Sequence, residues 1–129
     1  MISEVYDIEC LSNLFTYTGF CRTTKTWYQF VIHSSRNDYI ELITHLKRKS
    51  LIQIGYNNDS YDYPILHHLL NHFDEYQYLT GWELAQKIYQ KSQFIIDEEF
   101  SVVADWNKLI FQIDLFKIWH FENKAKLTS

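Results

Sequence analysis

In Val5-Tyr6-Asp7-Ile8-Glu9, aromatic and β-branched residues flank two acids, the pattern of a buried central strand with acids near its exit. Asp7 and Glu9 are two apart, so on a strand their side chains leave one face and can converge on a point. Two carboxylates on one sheet face repel unless a cation lies between them. Mg²⁺ or Mn²⁺ suits such a pair, because hard cations prefer carboxylate oxygens. The alternative is that one acid faces solvent or a lysine.

Outward from this stretch, Leu14–Cys21 and Thr26–His33 are apolar runs separated by Arg22-Thr23-Thr24-Lys25, which predicts a three-stranded meander. Asp38 with Glu41 predicts a capped helix start, and Tyr39, Leu42, Ile43 and Leu46 form its apolar face. Lys47, Arg48 and Lys49 suit its C-terminal end as a solvated terminus. Leu51–Tyr56 reads as a short strand and Asn57–Ser60 as a polar loop. A second helix carries Ile65, Leu66, Leu69, Leu70 and Phe73, with Pro64 tolerated in its first turn. Thr80 and Glu83 form a capping box for a third helix reaching about Lys91. Residues 94–108 carry no clear pattern, and Leu109–Leu115 reads as a further buried strand ending in Asp114. The order β-β-β-α-β-α-α-β predicts an α/β fold, a mixed sheet flanked by helices in one domain over residues 1–129.

Composition fits that domain. The 129 residues are 47% hydrophobic and 18% aromatic, enough apolar surface to offset chain entropy. Three Gly and one Pro exclude a flexible linker or a collagen-like repeat. No apolar run approaches the roughly 18 residues of a membrane span. Met1-Ile2-Ser3-Glu4 lacks a basic leader, so a cytoplasmic protein is expected. Cys10 and Cys21 have no CxxC spacing and read as ordinary thiols. The net charge of −4 speaks against a broad nucleic-acid-binding surface, although a bound metal could still meet phosphates.

A second group of acids lies in Asn58-Asp59-Ser60-Tyr61-Asp62, directly after the strand ending at Tyr56. Ligands of open α/β sheets collect beyond the carboxyl ends of strands, where Asp62 falls. Taken alone, Asp62 reads first as a cap of the helix that follows, and Asn58 as the residue that closes the turn. Together with Asp7 and Glu9, these residues resemble the amino-terminal part of the 3'-5' exonuclease domain of phage-type DNA polymerases, in the DEDD group with an RNase H-like fold. Tyr6-Asp7-Ile8-Glu9 is similar to the first exonuclease motif and Gly55–Asp62 to the second. Gln112–Ile118 resembles the strand that follows the second motif.

The resemblance implies that Asp7, Glu9 and Asp62 are catalytic and hold two Mg²⁺ or Mn²⁺ ions, with Asp7 bridging them. It implies that Asn58 contacts the DNA strand or orients the terminus, and that Tyr61 packs beside the site. Tyr56 or Tyr61 would stack on a frayed single-stranded 3' end. Asp114 has no clear catalytic counterpart and is expected to be a structural acid. The family's third motif, Tyr-x-x-x-Asp, supplies a fourth carboxylate, and no such pair follows Asp114 before Ser129. A truncated or split fragment is therefore expected, with the remaining polymerase chain or a second polypeptide supplying the missing motif. A phage-encoded chain would act in the host cytoplasm. The alternative is a non-catalytic RNase H-like module that binds a polymerase or another protein.

Other features have plainer readings. His68 and His72 have the i,i+4 spacing of a zinc pair without supporting ligands, so they, with His67, are expected to be surface or half-buried histidines. Trp82, Trp106 and Trp119 are expected in an aromatic-rich core.

Overall fold

Alternation of apolar and polar residues along the first strand sends Tyr6 and Ile8 to one side and Asp7 and Glu9 to the other, as the side-chain period of two requires. The computed structural model describes residues 1–97 and 102–118. Its elements are β1 (Ile2–Leu11), β2 (Leu14–Cys21), β3 (Thr26–His33), β4 (Arg36–Asn37), α1 (Tyr39–Leu46), β5 (Leu51–Gly55), α2 (Asp62–Asn71), α3 (Phe73–Tyr76), α4 (Gly81–Asp97) and β6 (Phe111–Asp114). A 3₁₀ turn spans Asp105–Asn107.

The strands form one mixed sheet in the order β4-β3-β2-β1-β5-β6. β1, β2 and β3 make the expected antiparallel meander, and β5 and β6 continue it in parallel with β1. The fold is thus α/β, a six-stranded mixed sheet flanked by helices. One core joins Tyr6, Ile8, Phe15 and Tyr17 of the sheet to Leu42 and Leu46 of α1, Leu66 and Leu69 of α2, and Leu84 and Ile88 of α4. The other face leaves Val5, Trp27 and Phe111 exposed. No helix among the described residues is long and apolar enough to cross a membrane.

Local signals were obeyed unevenly. At Thr80 the capping box forms: Thr80 N–H donates to Glu83 Oε1 (3.3 Å) and Glu83 N–H donates to Thr80 Oγ1 (3.2 Å). At Asp38 it does not. That carboxylate accepts Val31 N–H (3.0 Å) and Arg36 Nε–H (2.7 Å), fastening the two-residue edge strand β4 that the sequence did not announce. α4 runs past Lys91 to Asp97. Residues 98–101 and Trp119 lie outside the described residues.

The tryptophans depart from the expected core. Trp82 is exposed because Leu84, Ala85 and Ile88 take the buried side of α4, and Trp106 is exposed in the 3₁₀ turn. His68 and His72 are half-buried as expected, their ring centroids 4.0 Å apart, with His68 Nε2 2.8 Å from the Tyr76 hydroxyl. Burial, then the neighbouring His72, lowers His68 to about 4. In the basic run, Lys47 and Lys49 are exposed, but Arg48 turns inward to the Glu4 carboxylate.

Glu4 is fully buried. Its carboxylate accepts the Tyr17 hydroxyl (2.5 Å), meets Arg48 Nη2, and lies 2.8 Å from His45 Nε2. The space it fills exists because residue 19 is glycine: a Cβ there would stand 2.2 Å from Glu4 Oε1. Gly19→Ala is therefore expected to cost about 1–3 kcal/mol by overpacking, read from the urea midpoint. An unchanged midpoint would show that Glu4 can move aside freely.

From Glu4 a row of side chains crosses the sheet. Gln53 Nε2–H donates to the Tyr17 hydroxyl (2.8 Å) and Gln112 Nε2–H donates to Gln53 Oε1 (2.7 Å). Gln112 Oε1 in turn accepts the Tyr6 hydroxyl (2.7 Å). Buried polar groups need partners, and this row supplies them by pairing residues on facing registers of β5 and β6.

Candidate active site

β1 and β5 pair only over Ile2–Val5 and Leu51–Ile54. β5 ends at Gly55 while β1 continues to Leu11, so the two strands part and leave β1 backbone groups beyond Val5 without a strand partner on that side. The chain leaves β5, turns through residues 56–61 and enters α2 at Asp62. Asp62 Oδ2 accepts the Ile8 N–H at 3.3 Å, taking the place of a neighbouring strand. The N-cap position falls on Tyr61 and Asp62 is the first residue of α2, so the capping alternative is not the one adopted.

This position sets Asp62 beside Asp7. Burial, and next the Asp7 charge, push the Asp62 carboxyl up to about 7, against the pull of the Ile8 N–H. The closeness of the two acids is what opposes ionisation of Asp62. A bound cation would relieve the same repulsion, and the donor set of hard carboxylate oxygens fits Mg²⁺ or Mn²⁺. Glu9 leaves β1 on the same face as Asp7 and is exposed. Among the described residues no three His, Cys, Asp or Glu side chains are gathered as a group that could hold a metal ion. The expected triad is thus an adjacent pair, Asp7 and Asp62, with Glu9 nearby on the strand. Like-charge repulsion favours leaving the third carboxylate in water.

The loop before Asp62 is fixed from β6. Asp114, buried at the end of that strand, accepts Asn57 N–H on Oδ1 (2.8 Å) and Asp59 N–H on Oδ2 (3.1 Å). Its Oδ1 also accepts Phe116 N–H (3.0 Å). Asn57 has a φ of 58°, a left-handed conformation that asparagine tolerates. Between the two anchored amides, the Asn58 carbonyl accepts Tyr63 N–H (2.7 Å), an otherwise unpaired donor of the first turn of α2. Asp59 accepts Lys108 Nζ (2.8 Å) and Lys117 Nζ (2.6 Å). These cations hold the Asp59 carboxyl below its usual range despite burial, which acts to raise it.

The expected substrate contacts divide. Asn58 is fully buried, and its Nδ2–H donates to Gln112 Oε1 (2.8 Å). In that enclosure its amide serves the loop and β6. It folds back over Gly55, where a Cβ would stand 2.9 Å from Asn58 Cγ. Asn58 Oδ1 is a buried acceptor without a protein partner among the described residues. Tyr61 is half-buried beside Cys10 and Ser92, next to the site, and burial raises its hydroxyl pKa. Cys10 is likewise pushed up to about 11 by burial, so it is a protonated thiol. Tyr56 is 61% exposed, edge-on to Phe116 with ring centroids 5.4 Å apart.

Asp114 is the structural acid the sequence suggested, but Gln112, Gln53 and Tyr6 were not singled out. The signal was present. Gln53 and Gln112 each interrupt an apolar run, Leu51-Ile52-Gln53-Ile54 and Leu109-Ile110-Phe111-Gln112-Ile113. A polar residue in a buried strand demands a partner, and each is the other's. Comparison with protein-family models, curated proteins and solved structures finds no significant match to this chain.

Proposed function

We propose that the chain is a metal-dependent 3'-5' exonuclease domain, or a fragment of one, of the phage DNA polymerase type, with an RNase H-like fold. The observation that carries this reading is the adjacency of Asp7 and Asp62 where β1 and β5 part, with Asp62 raised to about 7 by burial and by Asp7. Three antiparallel strands continued by two that run parallel to β1 support the fold assignment.

Asp7 and Asp62 would hold the cations, with Glu9 completing the ligand set. Two bound divalent ions would supply the positive charge that activates water and stabilises the leaving oxygen. In the reaction, water adds to phosphorus and the 3' oxygen of the shortened strand leaves, releasing a nucleoside 5'-monophosphate. Tyr56 offers an exposed ring on which a terminal base can stack, a contact that tolerates any sequence. In a chain of net charge −4, bound cations would also draw in the phosphate.

The second reading, a non-catalytic binding module, is favoured by the absence of a gathered carboxylate triad among the described residues. One experiment separates the two. Mn²⁺ binding by calorimetry is expected for the wild type and is expected to be lost in Asp7→Ala, along with whatever hydrolysis of a 3'-labelled single strand the wild type shows without the missing motif. A wild-type chain that takes up no Mn²⁺ and releases no nucleotide would leave the binding module standing.

A further inference from the structure

Asp114 belongs to an edge strand and touches neither Asp7 nor Asp62 in any hydrogen bond described above, yet the placement of Asp62 passes through it. Its two carboxylate oxygens hold the amides on either side of Asn58, at 2.8 and 3.1 Å. That fixes the Asn58 peptide so that its carbonyl meets Tyr63 N–H at 2.7 Å. Residues 58 and 63 being tied, Asp62 is set one residue before the second tie, with its Oδ2 on the Ile8 N–H. Gln112, two residues before Asp114 on the same strand, holds the Asn58 side chain as well. We propose that Asp114 is a positioning residue for the carboxylate pair: through the 57–59 amides it decides whether Asp62 reaches β1 beside Asp7.

The proposal deepens the exonuclease reading and rests on it for the metal, but its geometric content stands on the Asp62-to-Ile8 hydrogen bond alone. A carboxylate has two acceptor oxygens for two amide donors, whereas an asparagine there keeps one acceptor and turns an N–H₂ toward the second donor. Asp114→Asn should therefore fall between wild type and Asp114→Ala. Outer residues that orient a ligand commonly change metal affinity by about 10–100-fold when removed.

The test uses the full chain and two readouts: hydrogen exchange of the Ile8 amide measured by NMR, and Mn²⁺ affinity measured by calorimetry. In Asp114→Ala, Ile8 exchange is expected to quicken on the order of tenfold or more as its acceptor is lost. Mn²⁺ affinity is expected to fall on the order of tenfold. Asp114→Asn should show smaller changes in the same direction, and Asp74→Asn, at an exposed position of α3, should show none. A merely structural role would lower the melting temperature and quicken the β1 amides together, leaving Ile8 exchange relative to the other β1 amides and Mn²⁺ affinity at wild-type values, and that result overturns the proposal. If Asp114→Ala does not fold, Asp114→Asn decides by the same two readouts. If the wild type binds no Mn²⁺, the exonuclease reading fails, and the Ile8 amide alone decides the role of Asp114.

Discussion

Asp62→Asn is expected to make the chain more stable at pH 8, although it removes a buried hydrogen-bonding carboxylate. The Asp62 carboxyl has a folded-state value of about 7 against an ordinary 3.8. Between those values the folded chain holds a proton that the unfolded chain has released. The stability that proton confers is fully present below about pH 4 and is lost as the pH rises through about 7. The whole span is worth roughly 4 kcal/mol at most, and at pH 8 all of it has gone. Asparagine keeps an acceptor for the Ile8 N–H and carries no charge to oppose Asp7. A gain of about 1–3 kcal/mol at pH 8 in chelator is expected from urea denaturation, with a flatter profile between pH 4 and 7. In the wild type, saturating Mn²⁺ should restore the missing stability by binding the folded chain, and in Asp62→Asn it should not. A variant less stable than wild type at pH 8, with the Mn²⁺ response intact, would show that the two acids are not opposed.

Glu4→Ala should produce the largest loss of stability, about 3–5 kcal/mol, because it breaks a buried ion pair by removing one partner. The variant leaves the Tyr17 hydroxyl and Arg48 facing a void, with His45 beside them. Burial works to raise the Glu4 pKa, but hydrogen bonds from His45, Tyr17 and Arg48 outweigh it and the carboxyl ends below its usual value. Stability from this group is thus present above the unfolded carboxylate range and is lost as the pH falls through the lowered folded value. Glu4→Gln, which keeps the shape, should lose less at pH 7 and should blunt the acid limb of the denaturation profile. Equal urea midpoints for Glu4→Ala and wild type would mean that the Glu4 cluster contributes nothing net, as some buried ion pairs do not.

The meander, α1, α2 and the start of α4 were legible because each rests on a local period or cap, although Phe73, read as part of the second helix, opens the separate short α3. Alternation in Leu14–Cys21 and the 3–4 spacing of Leu42, Ile43 and Leu46 survive into the structure unchanged. What failed were features decided by tertiary partners, near or far along the chain. Asp38 has the sequence of an N-cap, but the Val31 amide and Arg36 claim its carboxylate. Trp82 has the composition of a core residue, but it stays exposed at the rim of a groove it lines with Leu14, Thr16 and Val31 of the sheet. In the candidate site, Asp7 and Asp62 were readable from motif spacing, whereas the enclosure of Asn58 was not. Nothing near residue 58 says that Gln112, 54 positions later, will hold its amide.

Because Asp62 docks on a particular amide of β1 rather than on the end of the sheet, the arrangement is counted off in residues along that strand. An extra residue inserted between Val5 and Tyr6 would rotate every later side chain to the opposite surface. Ile8 would be turned into water and both acids driven against the aliphatic interior. Substitutions in the Thr23–Thr24 turn leave that count untouched. The hairpin loops can therefore drift in length and composition while β1 itself admits no insertion or deletion, a division of tolerance that a scan of single-residue insertions would map directly.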